Sequence, residues 1–294
     1  VTTLRATRAT LRPAVAADAD VSGPLIYEAF RDVATRHGFE PAFRSPQEAA
    51  HVAKLFIDSP SFFSVVAEAD GRLVGAIFHD EADAIHGVAL VAVHPEAQAS
   101  GVGRRLMDAA LARARGARGV RLIQEAFNLG AMALYAKLGF EVREPLVRVR
   151  GTPRDGSFST DVEIRRLALD DLEACGALSE RVHGFTRNAE LAELLTLFSA
   201  FAAFREGRIV AYTWVLAAGV LGWGIAESEE SMQALLGGLA ARLGQPLVLI
   251  LPVRQAGLFR WCLDNGFRAE RPLTLMTMGE YRQPQGCWFP SGIY

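Results

Sequence analysis

Cysteine is scarce in this chain. Cys175, Cys262 and Cys287 all lie in its second half, too few and too far apart for a disulfide framework or a metal-ligand spacing. A reducing, cytoplasmic compartment is the expectation. Net charge is nearly absent as well, at −2 near neutral pH, so neither nucleic acid nor an anionic membrane is expected as a partner. The N-terminal VTTLRATRATLRPAV is rich in Arg and Thr but has no apolar core, and does not read as a secretory signal. The uncharged stretch from Ile209 to Ala226 could suggest a membrane span. It carries Gly219, Gly222 and Gly224 inside an alternating α/β pattern, and two buried strands with a turn near Gly219 explain it better. No His/Cys/Asp/Glu spacing suggests a metal, and no Ser-His-Asp arrangement is visible in the chain order.

What is present is a sizeable core. Half of the residues are hydrophobic and 22% are charged, the profile of a soluble globular protein, and 294 residues leave room for two domains of about 150 each. Leu11-Arg12-Pro13 closes a short strand, and Asp18 to Asp20 supply caps for a helix over about Ser22 to His37. In that helix Leu25, Ile26, Ala29, Phe30 and Val33 fall at helical spacing, and Gly38 stops it. Ser45-Pro46-Gln47-Glu48 opens a second helix with a cap, a proline and an acid in its first turn. Phe62 to Glu68 and Arg72 to His79 predict a hairpin around Asp70-Gly71, a type I′ signal.

The stretch from Gly87 to Arg115 then reads as a buried strand (Val88 to Val93), a loop, and a helix entered through Gly101-Val102-Gly103. Glycines let a backbone turn tightly and approach a ligand, and a helix start offers N–H groups and a positive dipole end to an anion. The alternative is an ordinary strand-to-helix turn. A P-loop is excluded, because no Lys-Ser or Lys-Thr follows the glycines. A dinucleotide fingerprint needs a third glycine where Leu106 stands. Arg104, Arg105, Arg113, Arg115, Arg118 and Arg121 cluster nearby, either as a solvated face or as an attraction for a polyanion.

A strand (Val120 to Ala126), a helix (Asn128 to Leu138), Gly139-Phe140 and two short strands ending near Arg150 follow. Gly151 to Thr160 reads as a linker, and then the order begins again. Val162 to Leu167 echoes the first strand, Asp170-Asp171-Leu172 starts a helix, and a hairpin turns at Glu206-Gly207. Pro246 to Leu251 is a buried strand, and a helix closes on Asn265-Gly266-Phe267. Aligning Leu106 with Leu235 sets Glu230 and Met232 where the first half has Gly101 and Gly103, while Glu227 and Glu229 add further repulsion for a phosphate.

Gln98-Ala99-Ser100-Gly101-Val102-Gly103, directly after a hydrophobic strand, resembles the acetyl-CoA loop of the GNAT N-acetyltransferase superfamily. Asn128, Ala131, Tyr135 and Gly139-Phe140 resemble the second signature of that family, in the expected order. The resemblance implies two tandem GNAT-like α/β (α+β) domains, each a mixed central sheet flanked by helices: residues 1–151 acetyl-CoA-binding and catalytic, 152–160 a linker, 161–294 a degenerate copy with a C-terminal tail. It further implies that Val91, Ala92 and Val93 pair with the pantetheine arm, and that Gln98, Ala99, Ser100, Gly101, Val102, Gly103 and Arg104 hold the pyrophosphate. Asn128 would hydrogen-bond the cofactor, and Tyr135 would sit beside the sulfur.

A phenol titrates near ~10 and an alkyl thiol near ~8.5, so full proton transfer to the thiolate is uphill by roughly 2 kcal/mol. A strong hydrogen bond to the sulfur as charge develops suffices. A lysine-like acceptor, with its pKa near about 10.4, must lose a proton at a cost of roughly 4 kcal/mol. Glu125 is the candidate base, its alternative being a strand-end carboxylate that pairs with an Arg or caps the next helix. His79, Asp80, Glu81 and His94 are weaker candidates. Glu28, Phe30 and His79 are expected at the acceptor, with Tyr27, His37, Phe39 and Phe43 either beside them or in the core.

The expectation is thus acetyl transfer to a small-molecule amine by a monomer or weak homodimer. A non-catalytic acyl-CoA sensor, a protein Lys or N-terminal acetyltransferase, and a tandem synthase resembling mycothiol synthase are the alternatives. The aromatic tail from Gln285 to Tyr294 is expected to pack back on a groove between the domains.

Overall fold

The computed structural model describes residues 9–292. They form two compact units, one running to Leu122 and taking up Phe127–Leu138, the other holding Ile123–Ala126 and the chain from Gly139 onward.

In the first unit β1 (Thr10–Pro13), α1 (Asp18–Arg36), α2 (Pro46–Asp58), β2 (Phe62–Ala69), β3 (Arg72–Asp80) and β4 (Ile85–Val93) are followed by α3 (Val102–Arg113), β5 (Gly119–Glu125) and α4 (Leu129–Lys137). The sheet is antiparallel from β1 to β4, and parallel between β4 and β5. That parallel ladder joins Ile85–Val88 to Gly119–Leu122 and goes no further. From Leu90 to Val93, among the described residues, β4 is paired on its β3 side. Ile26, Ile77, Phe78, Leu106 and Met107 are fully buried between helices and sheet.

Local signals explain most of these elements. Ser45 caps α2 by accepting the Glu48 N–H at 3.2 Å, with Pro46 in the first turn. Asp70 and Gly71 take φ of 51° and 72°, as a type I′ turn demands. The start of α1 differs from the sequence reading. Asp18 is its first residue rather than a cap before it, because its carboxylate is drawn back to Arg12 (2.7 and 2.9 Å) and to the Val15 N–H (2.8 Å).

The second unit contains β6 (Glu141–Gly151), β7 (Glu163–Arg166), α5 (Leu172–His183), α6 (Asn188–Leu197), β8 (Ser199–Arg205), β9 (Arg208–Ala217) and β10 (Val220–Ala226). It continues with α7 (Glu229–Leu243), β11 (Leu247–Pro252), α8 (Ala256–Asp264), β12 (Arg268–Gly279) and β13 (Cys287–Phe289). Its strands run in the order β12-β6-β11-β10-β9-β8-β7, with β13 on β10. Ile209 to Ala226 is indeed two strands turning at Ala218-Gly219. Among the described residues no helix is long and apolar enough to cross a membrane.

One feature corrects the sequence reading: the pair of short strands before Arg150 is one strand, β6, held between β12 and β11. Pro145 lies inside it, and its missing N–H costs no ladder pair with β11, whose register starts at Leu146 opposite Pro252. The segment after Gly151 has no regular structure and is packed. Trp261 donates to the Ser157 carbonyl at 2.8 Å, and the Phe158 ring lies where a Gly237 β-carbon would be, 2.2 Å away.

The order strand, two helices, three strands, helix, strand, helix, strand occurs twice, with β13 added at the end. A side-chain clasp repeats with it. Arg165 grips Asp171 at 2.9 and 3.1 Å while Asp171 accepts the Ala168 N–H at 2.9 Å, as Arg12, Asp18 and Val15 do. The last strands are exchanged between repeats inside the second unit. β6 ends the first repeat but pairs with β11 of the second, and the Ala126 N–H just after β5 donates to Pro272 of β12 at 3.2 Å.

Asp18→Ala and Asp171→Ala should each cost about 1–2 kcal/mol, the worth of a charge-assisted pair whose arginine is partly solvated. Thermal melts unchanged by both would show that the clasp is ornamental. A second expectation concerns His79, whose ring is fully buried and bonded to His86 at 3.0 Å. Burial first, then the His86 ring, lowers its pKa from 6.5 to about 4, with Glu81 opposing and Arg113 assisting. The unfolded chain therefore binds that proton more readily, so stability is intact above pH ~6.5 and is lost by roughly 3 kcal/mol as pH falls toward ~4. His79→Gln should flatten this acid loss in melts run between those values; an identical slope in both proteins would assign it elsewhere.

Candidate functional site

The junction between β4 and α3 is built from backbone. One 3-10 turn, Pro95–Ala97, follows the strand. Gln98 donates back to the Val93 carbonyl at 3.3 Å, and the Ser100 hydroxyl donates to the Ala97 carbonyl at 2.5 Å. Ala99 and then Gly101 take positive φ, 60° and 91°, to swing the chain into the helix. Gly101 is the N-cap, no side chain caps α3, and no acid stands in its first turn. The leading N–H groups, those of Val102, Gly103 and Arg104, therefore keep their positive dipole end undiminished. A β-carbon on Gly103 would lie 3.5 Å from Val93 and 3.6 Å from Leu134, so this helix start is held against both β4 and α4.

The arginines do not make one patch. Arg105 donates to the Ala9 carbonyl, Arg113 pairs with Glu81 at 2.8 Å, and Arg121 is buried, while Arg104 is half exposed 3.7 Å from Asp108.

On α4, Asn128 is the N-cap: its Oδ1 accepts the Ala131 N–H at 3.1 Å, which leaves the Nδ2 amide as the group able to donate outward. Tyr135, two turns later, is buried, and burial pushes its phenol up to about 12. It therefore stays protonated and acts as a donor. Moving its proton fully onto a thiolate would cost roughly 5 kcal/mol, more than a solvated phenol would. The first unit thus brings Val91–Val93, the loop from Gln98 to Arg104, Asn128 and Tyr135 into one body.

Other expected residues find different partners. Glu28 pairs with Arg31, and Phe30 packs edge-on against Phe43 with centroids 5.4 Å apart. His79 is sealed in the core, where solvent does not reach it. Glu125 belongs to the second unit, where its Oε1 meets Arg271 at 2.6 Å and its Oε2 is buried without a hydrogen-bond partner among the described residues. Burial raises its pKa, against the opposing pull of Arg271. The pairing with an arginine is realised; the helix cap falls to Asn128 instead. Sequence reasoning missed Arg271, which lies 146 residues from its partner. It also missed Phe127, which stacks on Phe39 at 4.4 Å and lies 5.2 Å from His37. Its place beside Asn128 was the available signal.

The second repeat lacks these features. Ser228 caps α7 by accepting the Ser231 N–H at 3.2 Å, and Glu229 and Glu230 fill the first turn. Cys262, which aligns with Tyr135, is buried and its thiol is pushed up to about 12. No curated protein sequence matches the chain. Residues 60–142 match the family model of the acetyltransferase (GNAT) domain. A candidate acetyltransferase of Pyrococcus horikoshii is similar over 97% of this chain and 95% of its own, at 15% identity and a TM-score of 0.76. A GCN5-related N-acetyltransferase of Sphaerobacter thermophilus covers 94% of this chain and 97% of its own (17% identity, TM-score 0.63). A tandem GNAT protein of the clavulanic acid biosynthesis pathway covers 92% and 98% (14% identity, TM-score 0.58). The family's general chemistry is acyl transfer from acyl-CoA. The chain has the fold of two GNAT domains in tandem, and residues 60–142, within the first, match the model of the GNAT acetyltransferase domain.

Proposed function

We propose that the first repeat transfers acetyl from acetyl-CoA to a small-molecule amine by direct attack, residues 1–151 being catalytic and 161–294 a degenerate copy. The observation that carries this is the pairing, in one compact unit, of an uncapped glycine-led helix start with a buried, protonated tyrosine on the neighbouring helix. The chain fits the cofactor: an acid-free helix terminus suits a pyrophosphate, and the β4 backbone from Val91 to Val93 is paired on its β3 side. Bound acetyl-CoA would supply the thioester.

The residues divide the remaining work. N–H groups from Gln98 to Arg104 hold the phosphates, the β4 backbone aligns the pantetheine, and Asn128 Nδ2 donates to it. Tyr135 donates a hydrogen bond at the departing sulfur and gives up its proton as the thiol forms. Glu125, whose carboxylate binds protons more strongly than usual because it is buried, takes the proton of the incoming ammonium. No cysteine competes as an acyl carrier, since all three are buried and their thiol pKa values are raised by burial.

Thiol release from acetyl-CoA against a panel of amines tests the reading. Tyr135→Phe should lower kcat by about 100-fold with little change in the KM for acetyl-CoA, and Gly103→Glu should abolish cofactor binding. Activity should rise with pH as the acceptor amine deprotonates, with no fall assignable to Tyr135 until pH approaches about 12. Tight acetyl-CoA binding with no acceptor turned over would favour a sensor. Binding unchanged by Gly103→Glu would move the site out of this junction.

A further inference from the structure

The second repeat treats its diverging strands differently from the first. β10 and β11 share a single parallel pair, Val220 opposite Val248, and then separate. Beyond that point β13 pairs antiparallel with β10, Gly224 opposite Phe289, Ile225 opposite Trp288 and Ala226 opposite Cys287. On the β11 side, Gln255 closes the gap. Its amide donates to the Trp288 carbonyl at 2.5 Å and its Oε1 accepts the Trp288 N–H at 2.9 Å, as a neighbouring strand would. Gln255 is the residue that aligns with Asn128 when Gly266-Phe267 is set on Gly139-Phe140.

The segment is seated along its whole length. The Gln285 N–H donates to the Val182 carbonyl at 2.7 Å, the His183 ring meets Trp288 edge-on at 5.3 Å, and Cys287, Trp288 and Phe289 are buried. Phe289 lies over Gly224, where a β-carbon would come within 2.4 Å of its ring. The glycine is shaped for this occupant. The tail expected on a groove between domains is thus a strand of the second unit's own sheet; Ile293 and Tyr294 lie outside the described residues.

We propose that the cleft between β10 and β11 is a strand-binding site. This chain's own C-terminal segment occupies it, in the position the first repeat gives to the pantetheine arm. The comparison with pantetheine rests on the function proposed above; the strand site does not. Main-chain pairing supplies affinity, and the Phe289 and Trp288 pockets supply specificity, as in peptide recognition by strand addition. The proposal adds that this repeat takes a peptide where its ancestor's fold takes a nucleotide thioester.

Two variants test it without any measurement of turnover. A chain ending at Pro284 should melt about 10 °C lower or more, as expected for withdrawing two buried aromatics. A synthetic peptide of residues 285–292 added in trans should restore the melt in a concentration-dependent way, whereas coenzyme A should shift the shortened and the parent chain equally and leave the gap between them. In the full-length protein, Gly224→Ala should unseat Phe289 and raise the rate of Cys287 alkylation by at least about tenfold, since exposure limits a buried thiol. This second arm decides the matter if the shortened chain fails to fold. An unchanged melt without peptide binding, or Cys287 as slow in Gly224→Ala as in the parent, would overturn the proposal. So would uptake of a second equivalent of coenzyme A by the shortened chain, because the cleft would then still be a cofactor site. Because peptide rescue and Cys287 alkylation are read in the second repeat, failure of the acetyl-transfer reading would leave those results standing.

Discussion

Parallel strands that begin paired and then diverge each present a row of N–H and C=O groups that must find partners. That constraint governs both halves of this molecule. In the first repeat the β4–β5 ladder ends at Val88 and Leu122; in the second, β10 and β11 part after one pair. The second repeat satisfies its inner edge with β13 and the side chain of Gln255. The first, in our proposal, satisfies it with a ligand. On that proposal the same geometric problem has one solution within the chain and one supplied by a ligand.

The helix starts that follow these strands diverge in the same sense. α3 begins at a glycine with φ of 91° and has neither a side-chain cap nor an acid in its first turn, so its dipole end is available to an anion. α7 begins at Ser228, whose hydroxyl occupies one of the leading N–H groups, and places Glu229 and Glu230 over the rest. Each change is small by itself, a cap being worth about 1 kcal/mol and a first-turn acid a few tenths to about 1. Together they leave α7 an ordinary, well-capped helix, while α3 keeps an uncapped, acid-free start. Meanwhile the Arg–Asp clasps at the repeats' entrances make the same bonds in both.

Burial sets the chemistry of the two groups proposed to handle protons. Tyr135 is pushed away from ionisation and so keeps its O–H available as a donor. Glu125 is pushed toward holding a proton, but Arg271 moderates the effect. One is tuned by burial alone, the other also by a partner from the far end of the chain. The exchange of β6 and β12 brings that partner near, since it seats the last strand of the second repeat beside the end of β5.

Most of the repeat pattern was written locally. Helical spacing, Ser45-Pro46, Asp70-Gly71 and Glu206-Gly207 act through nearest neighbours, and the structure carries them as read. The loop from Gln98 to Gly103 and the helix from Asn128 to Tyr135 were legible for the same reason: close backbone approach and helix capping are short-range demands. The start of α1 was not, because Asp18 answers to Arg12 across a turn. Nor was β6, whose continuity depends on partners far along the chain, β11 and β12. The sequence by itself determined a duplicated α/β fold with one glycine-led, acid-free helix start, since those properties follow from the order and type of adjacent residues. Only the tertiary structure decided that Glu125 would be tied to Arg271, that His79 would be sealed in the core, and that the tail would become a strand on β10. Those outcomes depend on which distant backbones and side chains meet, and no local spacing encodes that.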